Sequence, residues 1–497
     1  MDKKGYFAYR YTRKYYRQHL RSHAHPDGGH GQRLIDTVPR DPSNFKDWVA
    51  GRIVMLENAK TIEVEVVYPD DGVGADDLGF NVIYDLPWMF TSYGIDWTYV
   101  IDLDNLVFTI NGKVHLRLDN IPPDLGGYSF WKGSNRSILR DHICQKVDLW
   151  PAPNFDTKEC QQKYEALQPI VIPATEWGAP TWDEMTVSQR FSIEMTHYFL
   201  LKTSREFTYA YAPYIRPLIG KFCWNMLCAS IPALPMFQED DSKGQGLSIR
   251  ALLCGRNNGP YSIGAMRSPG DGEPFKSPDD YCWIRGCLIT FCTHLSDPIY
   301  VAYEVEQMIQ KMRHDGHPES VGIILSSQQE LVVVALDGST VRHSPALDIR
   351  TTFRDERPGR ASDGRLLLTY LLSPLLTVPP LPWRTRPCQS PPAASDSINK
   401  LPLEILQTII DLVDMGTYLN LHRVSKSIRS VCVANPRVGR YVVLRRIPGF
   451  YMIFSMRRTD DGSLRAIRLR YIGPGWDGRW TRQEITLQEM DELRRGE

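Results

Sequence analysis

The sequence predicts an α+β chain: a large mixed N-terminal domain, a proline-rich linker, a three-helix module and a small C-terminal β module. Three observations carry this. Apolar alternation at period two flanks Asn111-Gly112, and the apolar runs VGIILSS and ELVVVAL precede Asp337-Gly338, both read as hairpins. Apolar residues recur at helical spacing over residues 181–235 and again from Asp297 to Gly316. Seven prolines fall between Pro374 and Pro392, where regular elements are expected to stop.

Composition bounds the function classes. Of 497 residues, 42% are apolar and 11% aromatic, enough for more than one buried core. The 58 basic and 58 acidic residues cancel, so no global field recruits nucleic acid or an acidic membrane. The opening MDKKGYFAYRYTRKYYRQHL lacks an apolar h-region, and no run of 18 apolar residues occurs, since prolines break YLLSPLLTVPPLPW. Ten sparse cysteines lack the spacing of a disulfide framework. The expectation is a soluble chain of the cytoplasm or nucleus, with no membrane partner.

Residues 1–352 are expected to form the mixed domain, as one unit or two subdomains. YFAYRYTRKYYRQHL mixes aromatic and polar residues, as an exposed sheet would. NFKDWVAGRIVMLENA places Phe45, Trp48, Ile53 and Leu56 near helical spacing, with Ser43 or Asn44 as its cap. Leu106, Phe108 and Ile110 alternate before Asn111-Gly112, and Val114, Leu116 and Leu118 after it. VSQRFSIEMTHYFLLKTSREF and IGKFCWNMLCASI are apolar nearly all round and read as buried helices. Asp297 caps a helix with the stripe Val301, Val305, Met308 and Met312, and Gly316 ends it. Residues 353–397 are expected to be a flexible linker. Residues 437–497 read as antiparallel strands turning at Asp460-Asp461-Gly462, then a terminal helix with a Thr486/Glu489 capping box.

Chemical motifs are sparse. HAHPDGGHG offers His23, His25, Asp27 and His30 as metal ligands, but no second cluster completes the set and a polar turn explains the loop. Cys282, Cys287, Cys292 and His294 have the right ligand types, yet their spacing fits a core strand better than a zinc module. Asp102 and Asp104 share a strand face and could hold a divalent ion, although a turn at Asp104-Asn105 is simpler. No nucleophile elbow, Walker loop or complete dinucleotide fingerprint occurs. No catalytic residue, cofactor or metal is assigned. Thirteen arginines, no lysine and eight acids make residues 437–497 basic, which a solvated sheet face explains more simply than nucleic acid does.

The run LPLEILQTIIDLVDMGTYLNLHRVSKSIR is over-supplied with hydrophobes. On a helix, Ile405, Leu406, Ile409, Ile410, Leu412 and Val413 cover an arc of about 160°, against ~100° for a helix packing on one core. Tyr418, Leu421 and Val424 repeat at three-residue spacing, Leu419 widens that face, and Ile428, Val431 and Cys432 follow. Three helices of about ten residues cannot bury this surface among themselves, since chains below ~40 residues rarely stand alone.

The same run resembles an F-box in Leu401-Pro402-x-Glu404-Ile405, then Ile409, Leu412, Val413 and Asp414, then Leu419 and Leu421, then Val424-Ser425-Lys426 and Arg429. The resemblance covers residues 398–436. It implies a three-helix module that docks on the Skp adaptor of a cullin–RING ubiquitin ligase, with an unidentified client held elsewhere on the chain. Leu401, Pro402, Glu404, Ile405, Ile409, Leu412, Leu419, Leu421 and Val424 would form the docking face, Glu404 acting as a first-turn carboxylate favoured by the helix dipole. Ile428 stands where the family usually carries Trp, and the box lies after the large domain instead of before it. WTYVIDLDNLVFTING and LRLDNIPP are similar to segments of uncharacterised fungal proteins, a likeness that brings no activity. Two rival readings remain. In one, residues 1–352 hold an enzyme or ligand-binding site, lined by residues such as His23, His25, Asp102 or Cys287, and the F-box regulates turnover of the chain. In the other, the three helices are core for the C-terminal module, with Ile405 and Ile409 covered by residues 441–472.

Overall fold

A two-residue turn sets the N-terminal unit. β1 (Gly5–Tyr11) and β2 (Lys14–Leu20) pair with Tyr11 opposite Lys14, so Thr12 and Arg13 make the turn at φ +49° and +59°. That left-handed geometry matches the twist of a hairpin but strains a β-branched residue. Both turn amides donate to the Asp104 carboxylate at 2.8 Å, which holds the strained conformation.

The computed structural model describes residues 3–84, 86–89, 94–125, 141–144, 147–150, 153, 155–207, 216–232, 280–350, 361–373, 381–383, 401–472 and 479–496. The chain divides into two compact units after Asn154. In the first, α1 (His30–Asp36) and α2 (Pro42–Glu57) follow the hairpin, and β3 (Asn81–Ile83), β4 (Trp97–Asp102), β5 (Val107–Ile110) and β6 (Val114–Arg117) complete a sheet of order β3-β2-β1-β4-β5-β6. β1 runs parallel to β4, and the other neighbours are antiparallel. Phe7, Tyr9, Tyr99, Ile101 and Phe108 pack with Leu34, Ile35 and Leu56 of the two helices. The opening segment is therefore not an exposed sheet: β1 sits between β2 and β4, and Phe7, Ala8 and Tyr9 are buried. The Asn111-Gly112 hairpin forms as expected, both residues at positive φ and Ile110 opposite Val114. Asp41 caps α2 in place of Ser43 or Asn44, accepting from both their amides, because Pro42 already occupies the first helical turn.

Arg10 is buried on β1 and ties this unit together. Its guanidinium contacts Asp102 at 3.2 Å and Asp104 at 3.3 Å and donates to the Trp150 carbonyl at 3.0 Å. Asp102 also accepts from the amides of Asp104 and Asn105 and from the Asn105 side chain.

The second unit joins two sheets through helices. Its elements are α3 (Thr157–Ala166), β7 (Ile170–Val171), α4 (Val187–Phe207), α5 (Arg216–Ser230), β8 (Tyr281–Ile284), β9 (Cys287–Cys292), α6 (Pro298–His314), β10 (Glu319–Ser326), β11 (Glu330–Asp337), β12 (Thr340–His343), β13 (Leu347–Asp348) and α7 (Asp363–Leu371). They continue with α8 (Leu403–Leu412), α9 (Met415–Val424), α10 (Lys426–Ala434), β14 (Arg437–Val438), β15 (Tyr441–Arg446), β16 (Ile453–Arg458), β17 (Leu464–Ile472), β18 (Arg479–Ile485) and α11 (Leu487–Gly496). The first sheet has order β7-β12-β11-β10-β9-β8, with β13 on β11, and α6 crosses from β9 to its parallel neighbour β10. Asp297 caps α6 as expected, and Val305, Met308 and Met312 pack on Leu288, Ile324, Val332 and Val334. Gly322 permits the close approach: a Cβ there would lie 2.7 Å from the Met308 sulfur. The other sheet is an antiparallel meander, β14-β15-β16-β17-β18, with the Asp461-Gly462 turn and the Thr486/Glu489 capping box in place.

One core spans both sheets, and this redraws the expected domains. Ile323, Phe291 and Val333 of the first sheet share it with Phe454, Ile467 and Leu469 of the second and with Phe191, Phe199 and Phe222 of α4 and α5. Phe191 meets Phe454 and Phe199 meets Tyr471 at 5.1 Å each, so α4 carries the meander. Residues 437–497 are a sheet, as expected, but one completed by α4 instead of a separate module. Within residues 1–352, expected as one unit or two subdomains, a break falls after Asn154, and the part beyond it shares its core with the C-terminal sheet. Nor is all of 353–397 a flexible linker. Ser362 caps α7, whose Leu367, Leu368 and Tyr370 are buried, and Trp383 packs edge-on against Trp177 at 4.8 Å. The rest of that stretch lies outside the described residues. The α+β class holds, and among the described residues no helix is long and apolar enough to cross a membrane.

Replacing Arg10 by Met should cost about 3–5 kcal/mol, because Asp102 would keep its buried charge without the guanidinium. Hydrogen exchange of the β1 and β4 amides measures the loss, and an unchanged protection pattern would contradict it.

Candidate functional site

Two breaks divide residues 401–434 into three helices, and both carry local caps. The Asp414 carboxylate accepts from the Thr417 amide at 2.9 Å and starts α9. The Ser425 hydroxyl accepts from the Ile428 amide at 3.1 Å and starts α10. These caps stand where the sequence changes from Leu412-Val413 to Asp414 and from Val424 to Ser425. Inside, Ile410, Tyr418, Ile428, Val431 and Cys432 form a small core, edged by Val413 and Leu421. The Tyr418 hydroxyl donates to the Cys432 carbonyl at 3.0 Å.

Arg437, the first residue of β14, fixes this group to the second unit. It is 6% exposed and donates to the Ile410 and Val413 carbonyls at 3.2 and 2.8 Å, the unsatisfied C-terminal end of α8. Its guanidinium also lies 5.1 Å from the centre of the Tyr418 ring. Gln407 bonds Asn435 at 2.6 Å, and Asp411 pairs with Arg457 of β16 at 2.6 Å. On α9, His422 is pushed down to about 3 by burial, then by Arg285 and Arg429, and among the described residues its Nε2 has no hydrogen-bond partner. Burial also lowers Arg285 to about 10 and raises the Cys432 thiol to about 12.

This anchoring splits the wide stripe of α8 into two faces. Leu406 and Ile410 point inward and are buried. Ile405, Ile409 and Leu412 stay 48%, 40% and 75% exposed. Leu401, Pro402 and Glu404 are exposed at the start of the helix, and Val424 at the end of α9 is 53% exposed. The structure therefore leaves seven of the nine candidate docking residues in solvent. Leu421 is the exception: it packs beside Tyr418 and Ile428 because the turn of α9 that carries Tyr418 directs it inward. The Leu419 side chain lies outside the described residues. The alternative of a fully internal role fails for Ile405 and Ile409. The helix does reach the C-terminal sheet, but through Asp411, paired with Arg457, and through its end carbonyls held by Arg437.

Sequence reasoning missed Leu403, which is 57% exposed, and Arg437, which it counted only as one of thirteen arginines. Its position directly after Asn435-Pro436 marked it as a residue held close to the third helix.

The other chemical candidates do not assemble. His23 Nδ1 lies 3.0 Å from the Ser22 hydroxyl, and His30 is buried with Nε2 3.7 Å from Asp70. Asp102 is occupied by Arg10 and Asn105. Cys282, Cys287 and Cys292 are buried in β8 and β9, in the other unit. Among the described residues no group of three or more His, Cys, Asp or Glu is placed to hold a metal ion. In the basic C-terminal segment, Arg446, Arg458 and Arg465 pair with Glu194, Asp460 and Glu484. No family model, no curated protein and no solved structure matches this chain.

Two outcomes test the anchoring. Arg437→Met should unfold α8–α10 selectively, by about 2–4 kcal/mol, since two helix-end carbonyls and a desolvated ring lose their cation. His422 sets a pH limit. Its folded pKa of about 3 lies below the ordinary value of 6.5, so the unfolded chain binds the proton more tightly. Its contribution is complete above pH ~6.5 and declines from there down to about 3. Amide exchange of α9 should accelerate across that window in the wild type and much less in His422→Phe.

Proposed function

We propose that this chain is a substrate receptor that docks on the Skp adaptor of a cullin–RING ubiquitin ligase through the outward face of α8. The observation that carries the proposal is the division of that helix: Leu406 and Ile410 serve the core, while Ile405, Ile409 and Leu412 are left exposed beside Leu401 and Pro402. A contiguous exposed apolar face is costly to keep in water and marks an interaction site. Helix-to-groove contact suits a stripe at this spacing. The F-box resemblance names the recipient. Catalysis would belong to the ligase. The receptor contributes proximity, raising the effective concentration of a client near the transfer machinery. The anchoring of α8 through Arg437 makes the presentation rigid, with no flexible tether between α8 and the meander.

Purified Skp adaptor should retain the full-length chain in a pull-down, and Leu401→Ala/Pro402→Ala/Ile405→Ala should lower affinity at least tenfold, about 1.4 kcal/mol or more. These side chains are exposed, so the variant should melt like the wild type. Absence of wild-type binding at about micromolar concentration would sink the proposal.

A further inference from the structure

The turn from β8 to β9 carries an arginine where asparagine or glycine would be easier. Ile284 pairs with Cys287, so Arg285 and Gly286 make the turn, at φ +49° and +83°. The Arg285 Nη1 donates to the Leu372 carbonyl at the end of α7, at 3.3 Å. Two residues of the three-helix group lie within the field of this guanidinium. Burial, then Arg285 and Arg429, hold His422 at about 3, and burial, then Arg429, lowers Arg285 to about 10. The Arg429 Nε donates to the His422 carbonyl at 2.6 Å, which ties α10 to α9. The His422 ring meets the Tyr418 ring edge-on at 4.9 Å, and its Nε2 is out of solvent without a partner among the described residues.

Grouped guanidiniums repel, and partial burial strengthens the repulsion. Among the described residues no carboxylate offsets it. Asp411 is paired with Arg457, Asp414 caps α9, and Glu194 is paired with Arg446. Tyr418 gives its hydroxyl to the Cys432 carbonyl, and Arg437 beside its ring adds a further cation. Donors from the β8–β9 turn, α9 and α10 are thus left without an acceptor in one cationic neighbourhood. A guanidinium fork matches the oxygens of a phosphate, and a tetrahedral oxyanion has an oxygen to spare for an imidazole. Arg285 and Arg429 are half-buried, so the group is reached from solvent, whereas the enclosed His422 nitrogen admits only a small ligand.

We propose that Arg285, His422 and Arg429 form a binding site for a small free oxyanion of the phosphate class, which ties α9 and α10 to the β8–β9 turn. The site does not rest on the receptor reading above.

The test titrates the full-length chain with inorganic phosphate by calorimetry, in chloride buffer. The expected result is one saturable site, with binding at least about tenfold weaker in Arg285→Gln and in Arg429→Gln. With selectively 15N-labelled histidine, the His422 ring signals, assigned by their loss in His422→Phe, should shift and saturate at the same phosphate concentration. Arg285→Lys and Arg429→Lys keep the charge without the fork and should fall between the wild type and the glutamine variants, which keeps the test decisive if a glutamine variant fails to fold. The exposed Arg445→Gln should bind like the wild type. A phosphoserine peptide distinguishes the source of the phosphate: weaker binding than inorganic phosphate supports the free anion, and tighter binding overturns it. No saturable binding by about 10 mM phosphate, binding unaffected by the arginine variants, or His422 signals that do not move also overturn the proposal.

Discussion

The buried guanidinium of Arg437 determines which way α8 faces. Its Nη1 donates to both of the last carbonyls of α8, its Nε donates to the Gly439 carbonyl, and the ring of Tyr418 lies beside it. A cation at that end is favoured by the helix dipole, and the fork fixes direction as well as charge. Because Arg437 begins β14, the rotation of α8 is set relative to a sheet that is itself fixed on α4. The inward and outward halves of the apolar stripe follow from that rotation. A lysine could supply the charge and reach the two carbonyls from one nitrogen, but it has no second nitrogen to donate to the Gly439 carbonyl, as Arg437 Nε does at 3.3 Å.

Local features were legible in the sequence. The Asn111-Gly112 turn, the Asp297 cap, the Thr486/Glu489 box and the breaks at Asp414 and Ser425 depend on residues within four positions of each other. Such signals survive without knowledge of the rest of the chain. What escaped was non-local. The central place of β1 depends on a parallel partner some ninety residues on, which no period in YFAYRYTRKYYRQHL reveals. The proline-rich stretch concealed α7 and Trp383, because composition describes the average of a segment and not the few side chains that insert into a core. Of the docking face, the over-wide arc was readable. Leu421 was misplaced because helical spacing gives neighbours on one helix without saying which neighbours meet another.

The polar residues that looked most chemical have structural work. Asp102 and Asp104 do not await a cation: one neutralises Arg10 and the other grips two amides of a strained turn. Both tasks need a carboxylate at a fixed place on a strand, as a metal site would, which is why spacing alone could not separate them. The cysteines of β8 and β9 behave likewise, filling a sheet interior as small hydrophobes.

The sharing of one core by residues on either side of α8–α10 bears on how the chain is made. Phe191, Tyr198 and Phe199 of α4 leave the ribosome well over two hundred residues before Phe454, Tyr471 and Trp480 arrive to cover them. Until then that aromatic ridge has no lid, and loop closure over such a span is slow. The nascent chain must be shielded at α4 during synthesis, or it will associate with whatever apolar surface is nearest. The N-terminal unit has no such debt, since every strand of its sheet is translated before Asn154. The first unit can fold as it emerges, and the second waits for its last strand.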